Sequence, residues 1–93
     1  EKTKEKIMRT PTLNGIMPNE LQNFLKKYGF VLKHVNGSHF IYEYPGNSKV
    51  FMLNIPMHKP VKPTYIDQIR ERIIEIEGEI KNGRNGFRNK RFI

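Results

Sequence analysis

The 93-residue sequence has no cysteine and no long apolar run. Without cysteine the chain cannot form disulfide bonds or thiolate metal sites, so its core has to be held together by burial alone. No stretch approaches the roughly 18 consecutive apolar residues of a membrane span. The basic amino terminus also lacks the apolar segment of a signal peptide. We therefore expect a soluble, cytoplasmic protein that does not enter a membrane.

Acidic residues are also scarce: nine stand against seventeen lysines and arginines, for a formal net charge of +8. Six of the eight net charges lie in the two ends, residues 1–17 and 79–93. Between these ends the lysines all precede residue 63, whereas most of the acidic residues follow it. A basic surface attracts phosphate, which favours a nucleic-acid partner, but it also occurs simply as a solubilising surface.

The length allows one small domain, with room for two helices and a small sheet but not for a deep cavity. An active site would be shallow, which suits a polymer better than an enclosed metabolite. Composition divides the chain into a flexible basic arm (1–17), a folded domain (18–78) and a basic tail (79–93).

Apolar spacing predicts the elements of the folded domain. Residues 18–28 carry an apolar stripe at helical spacing that begins at a proline and ends before Gly29. Residues 30–35, 38–44 and 50–55 are rich in strand formers, and Asn36-Gly37 is a strong hairpin signal. Isoleucines at steps of three and four then predict a second helix that ends near Gly78.

This order predicts an α+β fold, α-β-β-β-α, with a three-stranded antiparallel sheet and both helices on one face. The other face would be open to solvent or RNA. On the second strand the side chains divide into two sets, and alternation alone does not decide which is buried. The sets are Phe40, Tyr42 and Tyr44 on one face and His39, Ile41 and Glu43 on the other.

His39 is the strongest candidate for chemistry. It directly follows the Asn36-Gly37 turn, where the first residue of a strand can stay partly exposed whichever face is packed. Histidine is the one side chain whose ordinary pKa lets it take and give a proton near neutral pH. Such an imidazole can withdraw the proton of a ribose 2′-hydroxyl, so that the oxygen attacks the adjacent phosphorus. This reaction requires RNA and needs no metal or other cofactor.

Phosphate contacts should come from nearby cations and backbone donors. The candidates are the lysines at the predicted strand and loop positions, the N–H groups of the turn, and a histidine in the proline-stiffened loop after the third strand. They are Lys33, Lys49, Lys59, Lys62, Gly37, Ser38 and His58. The last of these could also be a second acid or base. His34 is predicted to be a surface or hydrogen-bonded structural residue and not a catalyst, and the spacing of the three histidines does not fit common zinc motifs.

Four segments, in order and at matching spacing, give the chain a resemblance to a known family. They are Lys27–Phe30 at the end of the first helix, Gly37–His39 entering the second strand, Ile55–His58 closing the third strand, and Thr64–Ile69 opening the second helix. Together they resemble the HicA toxins of HicA–HicB toxin–antitoxin modules, which are small ribonucleases. The resemblance covers residues 21–78.

The resemblance implies a fold like the double-stranded-RNA-binding domain, messenger RNA as substrate, and His39 as the catalytic residue. It also implies a HicB-like antitoxin that binds the toxin and masks its active site. The sequence is also compatible with two other functions. One is a non-catalytic RNA-binding module of the same fold, and the other is a protein whose only task is to bind its antitoxin.

Overall fold

A computed structural model describes residues 2–9, 15–46 and 49–92, with side chains described as far as residue 80. The elements in chain order are α1 (Lys2–Met8), α2 (Pro18–Tyr28), β1 (Val31–Asn36), β2 (His39–Pro45), β3 (Val50–Pro56) and α3 (Pro63–Phe92). From α2 onwards the order is helix, three strands, helix. This confirms the predicted α+β architecture.

The sheet is an antiparallel meander in the order β1-β2-β3. Asn36 pairs with His39 across the two-residue turn, in which Gly37 has a φ of 62°. This left-handed conformation favours glycine, so the Asn-Gly signal located the hairpin, but the two turn residues are Gly37 and Ser38 and Asn36 is the last residue of β1. The β1–β2 register shifts between Leu32 and His34, so Lys33 is the extra residue of a bulge.

The structure decides which face of β2 is covered. Tyr42 is buried and Phe40 and Tyr44 pack against the core, whereas His39 is exposed on the opposite face. The register explains the choice, because β2 pairs its three aromatic residues with a fully apolar row on β3. That row, consisting of Phe51, Leu53 and Ile55, is buried.

Both long helices cover this aromatic face. The predicted stripe of α2 is buried, and the helix ends where Gly29, at φ 122°, donates its N–H to the carbonyls of Leu25 and Lys26. The isoleucine stripe of α3 is fully buried at Ile66, Ile69, Ile73 and Ile76. The predicted core is confirmed at these positions, with the helices against one sheet face as expected, but Ile80, the last isoleucine of the predicted stripe, is exposed.

Part of the segment expected to be a flexible arm is folded. Lys2–Met8 form α1, in which Ile7 is completely buried and Thr3 nearly so. Residues 1 and 10–14 of that segment lie outside the described residues. The prediction rested on low apolar content, but one isoleucine is enough here because α1 is also held by charged groups of α2 and α3.

The last helix is longer than predicted, because Gly78 does not end it and the helical backbone continues to Phe92. A glycine inside a helix costs only about 1 kcal/mol, and no proline follows to stop the helix. The predicted basic tail therefore begins within a helix. Over the described residues, no helix is both long and apolar enough to cross a membrane.

Candidate active site

The turn of the hairpin and the loop after β3 meet at one end of the sheet. His39 pairs with Pro56, and the N–H of Met57 donates to the carbonyl of Ser38 at 2.7 Å. We call the region formed by Gly37–His39 and Pro56–Lys59 the turn end. It brings together two of the sequence motifs, which lie 17 residues apart at His39 and Pro56 but touch through backbone pairing.

The imidazole of His39 is exposed at the turn end and held on one side only. Its Nδ1 lies 3.1 Å from Oδ1 of Asn54, the neighbouring exposed residue of β3. When Nδ1 carries the proton and donates to that oxygen, the lone pair is on Nε2. In that tautomer Asn54 fixes the orientation of an exposed ring, and the unprotonated nitrogen is Nε2.

Asn54 is not among the residues predicted from the sequence. A signal was nevertheless present, because Asn54 is the single strongly polar side chain in an otherwise apolar strand, Val50–Pro56. Its contact with His39 depends on the β2–β3 register, in which Asn54 pairs with Ile41. That register is set by a longer connection than the tight first hairpin, so the contact could not be predicted from the sequence.

The loop after β3 carries His58, Lys59 and Lys62, all of them exposed. The loop is fixed at both sides: the N–H of His58 donates to Pro56, and the N–H of Val61 donates to the carbonyl of Ile16 at 2.9 Å. None of the ion pairs formed within the described parts of the chain uses either lysine. Lys59 is thus available to an anion that approaches the turn end, and Lys62 follows three residues later in the same loop.

Lys59 also lies beside the first turn of α2. It borders a shallow depression of about 200 Å³ together with Met17, Pro18 and Asn19. The backbone N–H groups at the start of a helix carry partial positive charge, which adds to that of the lysine. The turn end therefore extends as a positive surface onto the beginning of α2.

Two of the predicted lysines lie elsewhere. Lys49 directly precedes Val50 of β3, whose pairing level lies six residue steps and thus about 20 Å from that of His39, at the opposite end of the sheet. Its ammonium group is 4.9 Å from the centre of the Phe51 ring. Lys33, in the β1 bulge, lies between the levels of Ile41 and Tyr42, roughly 7–10 Å along the sheet from His39. Lys49 is therefore not brought to His39, and Lys33 lies at an intermediate distance.

His34 lies on β1 opposite Ile41 and is exposed. The structure gives it no side-chain hydrogen bond to another described residue, in contrast to His39 with its Asn54 partner. Over the same described residues, no three histidine, aspartate or glutamate side chains are grouped as a metal site would require.

The opposite end of the sheet is closed by aromatic rings. Tyr28 lies 5.9 Å from Phe30 and 5.7 Å from Tyr44, measured between ring centres. Burial, and then the carboxylate of Glu77 that its hydroxyl contacts at 3.0 Å, raise the pKa of Tyr28. Lys4 of α1 in turn pairs with Glu77 at 2.8 Å. We call the cluster of Tyr28, Phe30, Tyr44, Lys4 and Glu77 the ring end.

Comparison with known proteins gives one match. Residues 18–76 match the profile of a family described as the HicA toxin of bacterial toxin-antitoxin. The matched region begins at α2 and includes the whole sheet and the buried part of α3. No curated protein and no solved structure matches the chain.

Proposed function

The chain belongs to the HicA toxin family, and on this premise we propose that it is an endoribonuclease that cleaves messenger RNA with His39 as its catalytic residue. Membership of the family makes it the toxin of a toxin–antitoxin module, with a cognate antitoxin as partner. The observation that carries the proposal is the exposed imidazole of His39, whose Nδ1 is held by Asn54.

The proposed reaction begins with Nε2 of His39 as general base. It removes the proton of a ribose 2′-hydroxyl, and the resulting oxygen forms a bond to the adjacent phosphorus. The bond from phosphorus to the 5′ oxygen of the next nucleotide breaks, and that oxygen leaves after it is protonated. The products are a 2′,3′-cyclic phosphate and a 5′-hydroxyl, and no metal ion is needed to balance the reaction.

Other groups of the turn end, together with Lys62 further along the same loop, have roles in this scheme. Lys59 and Lys62 supply positive charge where negative charge develops on the phosphoryl oxygens. His58 lies two residues beyond Pro56, the pairing partner of His39, and is the candidate acid for the leaving oxygen. The backbone N–H groups of Gly37 and Ser38 are further candidate donors to phosphate.

The test compares two exposed histidines of the same sheet. His39→Ala is expected to lower the cleavage rate of a labelled single-stranded RNA by about 10²- to 10⁴-fold, the usual contribution of general acid–base catalysis. His34→Ala should leave the rate nearly unchanged. Both variants are assayed with excess chelator, and their melting temperatures and RNA affinities are measured alongside.

Two further measurements test the proposed reaction: the identity of its products and the effect of substituting Asn54. A substrate with a 2′-deoxyribose at the cleavage site should resist, and the cyclic phosphate should be detectable by mass spectrometry. Asn54→Ala is expected to slow cleavage about tenfold at unchanged RNA affinity, whereas Asn54→Asp, which keeps an acceptor for Nδ1, should restore most of the rate. Full cleavage by His39→Ala would refute the catalytic role, and RNA binding without cleavage by the native chain would favour the binding-module alternative.

A further inference from the structure

The first strand is exposed along its whole length. All six residues of β1 are exposed, and its apolar side chains Val31, Leu32 and Val35 keep between 43 and 51% of their surface. Within the described residues β1 pairs with β2 alone, so its outer edge has no strand partner. Antiparallel pairing directs the N–H and C=O of every second residue away from β2, towards that open edge.

A groove runs beside this edge on the helix-covered face. It has a volume of about 600 Å³ and lies between α2 and β1. Phe30, Leu32 and Tyr42 contribute its apolar lining, and Asn23 and Lys26 contribute its polar wall. We call it the edge groove. An apolar groove parallel to an unpaired strand edge suits an added strand, because backbone groups bind the edge while alternate side chains enter the groove.

Charge narrows the choice of occupant. Lys26 lines the edge groove and Lys33 occupies the bulge of the edge strand, and neither takes part in an ion pair within the described residues. No acidic residue lines the groove. A second copy of this chain, with its net charge of +8, would bring like charge to the same edge. The complementary occupant is an acidic segment.

We propose that the edge groove docks an extended, acidic segment of the cognate antitoxin, which adds to β1 as a fourth strand. Apolar side chains of that segment pack on Leu32, and acidic ones approach Lys26 and Lys33. The inference rests on the toxin role of the chain and not on its cleavage chemistry. The added strand would lie beyond β1 and so two strands from β2, which carries His39. It therefore anchors the antitoxin without requiring contact with the imidazole.

The test measures affinity for the purified antitoxin, the product of the gene paired with the one for this chain, by isothermal titration calorimetry. All variants are made in a His39→Ala background, so that cleavage does not enter the measurement. Leu32→Glu and Lys26→Glu are each expected to weaken binding at least tenfold. The matched controls are Met52→Glu, an apolar position on β3 that is also exposed, and Lys27→Glu, the neighbouring lysine on α2 outside the groove lining; both should stay within about twofold.

Hydrogen exchange supplies a second measurement that does not depend on whether a variant folds. In the unmodified complex, amides of β1 should become protected against exchange, as expected when a strand is added. Equal affinities of groove and control variants, or protection confined to the turn end, would overturn the proposal. So would a loss of RNA affinity in Lys26→Glu with unchanged antitoxin affinity, because RNA would then be the occupant. Failure of the cleavage proposal leaves these outcomes unaffected.

Discussion

The turn end and the ring end close the same sheet in opposite ways. At the ring end Tyr28, Phe30 and Tyr44 pack together, and Lys4 and Glu77 pair above them. At the turn end the imidazole of His39 is exposed with a single side-chain partner. Groups that are already paired hold a fold together, whereas groups left accessible can act on another molecule. The difference separates the part of this domain that stabilises it from the part available for chemistry.

Phe30→Ala should give the largest effect on stability. Phe30 is almost fully buried, with its ring centre 5.4 Å from that of Tyr44, so its truncation should lower the free energy of unfolding by about 3–5 kcal/mol. Asn54→Ala at the turn end should change it by less than about 0.5 kcal/mol. Urea unfolding of both variants measures these changes. Similar losses of unfolding free energy in the two variants would contradict the contrast between the ends.

Two of the three described glycines with positive φ, Gly29 and Gly37, provide the next comparison. At Gly29 a new Cβ would lie 3.0 Å from the Tyr44 ring at a φ of 122°, whereas at Gly37 nothing lies within 4 Å and φ is 62°. Gly29→Ala should therefore cost about 2–3 kcal/mol, and Gly37→Ala about 1 kcal/mol. Thermal melting measures both costs. A reversed order would show that the turn end is the more constrained of the two.

Lysines at the two ends should differ in their effect on RNA. Lys59→Ala is expected to weaken RNA binding several-fold and to reduce its salt dependence, because Lys59 lies at the turn end. Lys49→Ala should have little effect, since Lys49 lies about 20 Å from the level of His39. Affinity measured across a salt series tests the pair. A stronger effect at Lys49 would move the RNA site away from His39.

We expect acid to weaken the packing of α1 against α2 and α3, which is the smallest of the four predicted effects. Hydrogen bonding from Lys4 lowers the pKa of Glu77, and that from Lys6 lowers the pKa of Glu20, each below the ordinary value of 4.5. A depressed carboxyl pKa stabilises the folded state above the ordinary value, and this contribution is lost as the pH falls through the lowered one. The amide of Ile7 should therefore lose exchange protection below about pH 4.5, and Glu77→Gln should flatten this dependence. Unchanged protection of the Ile7 amide in acid would contradict the idea that these two ion pairs hold α1 in place.

Periodicity was sufficient to predict α2, the strands and the buried isoleucines of α3, because each has a clear apolar stripe or a strong turn signal. It could not choose the covered face of β2, since Ile41 and Tyr42 are both compatible with burial. That choice depended on the apolar row of β3. The helix at Lys2–Met8 was missed because one isoleucine gives no period.

For the site, the sequence located His39 and the loop motif at His58, because turns and prolines mark both positions. It could not rank the lysines, since sequence distance does not show that Lys49 and His39 lie at opposite ends of the sheet. Asn54 was missed for the same reason. The catalytic assignment itself remains a prediction for the cleavage experiments.

The first helix, α1, is bonded to both helices that cover the sheet, α2 and α3. Lys6 pairs with Glu20 of α2, Lys4 pairs with Glu77 of α3, and Arg70 of α3 donates to the carbonyl of Ile7. These residues of α1 lie before the family-matched region, 18–76. A chain that began at Pro18 would have an empty cavity in place of Ile7, and Glu20 and Glu77 would lose their lysine partners. A helix of seven residues thus links the two helices that cover the sheet, in a domain whose family-matched part begins at α2.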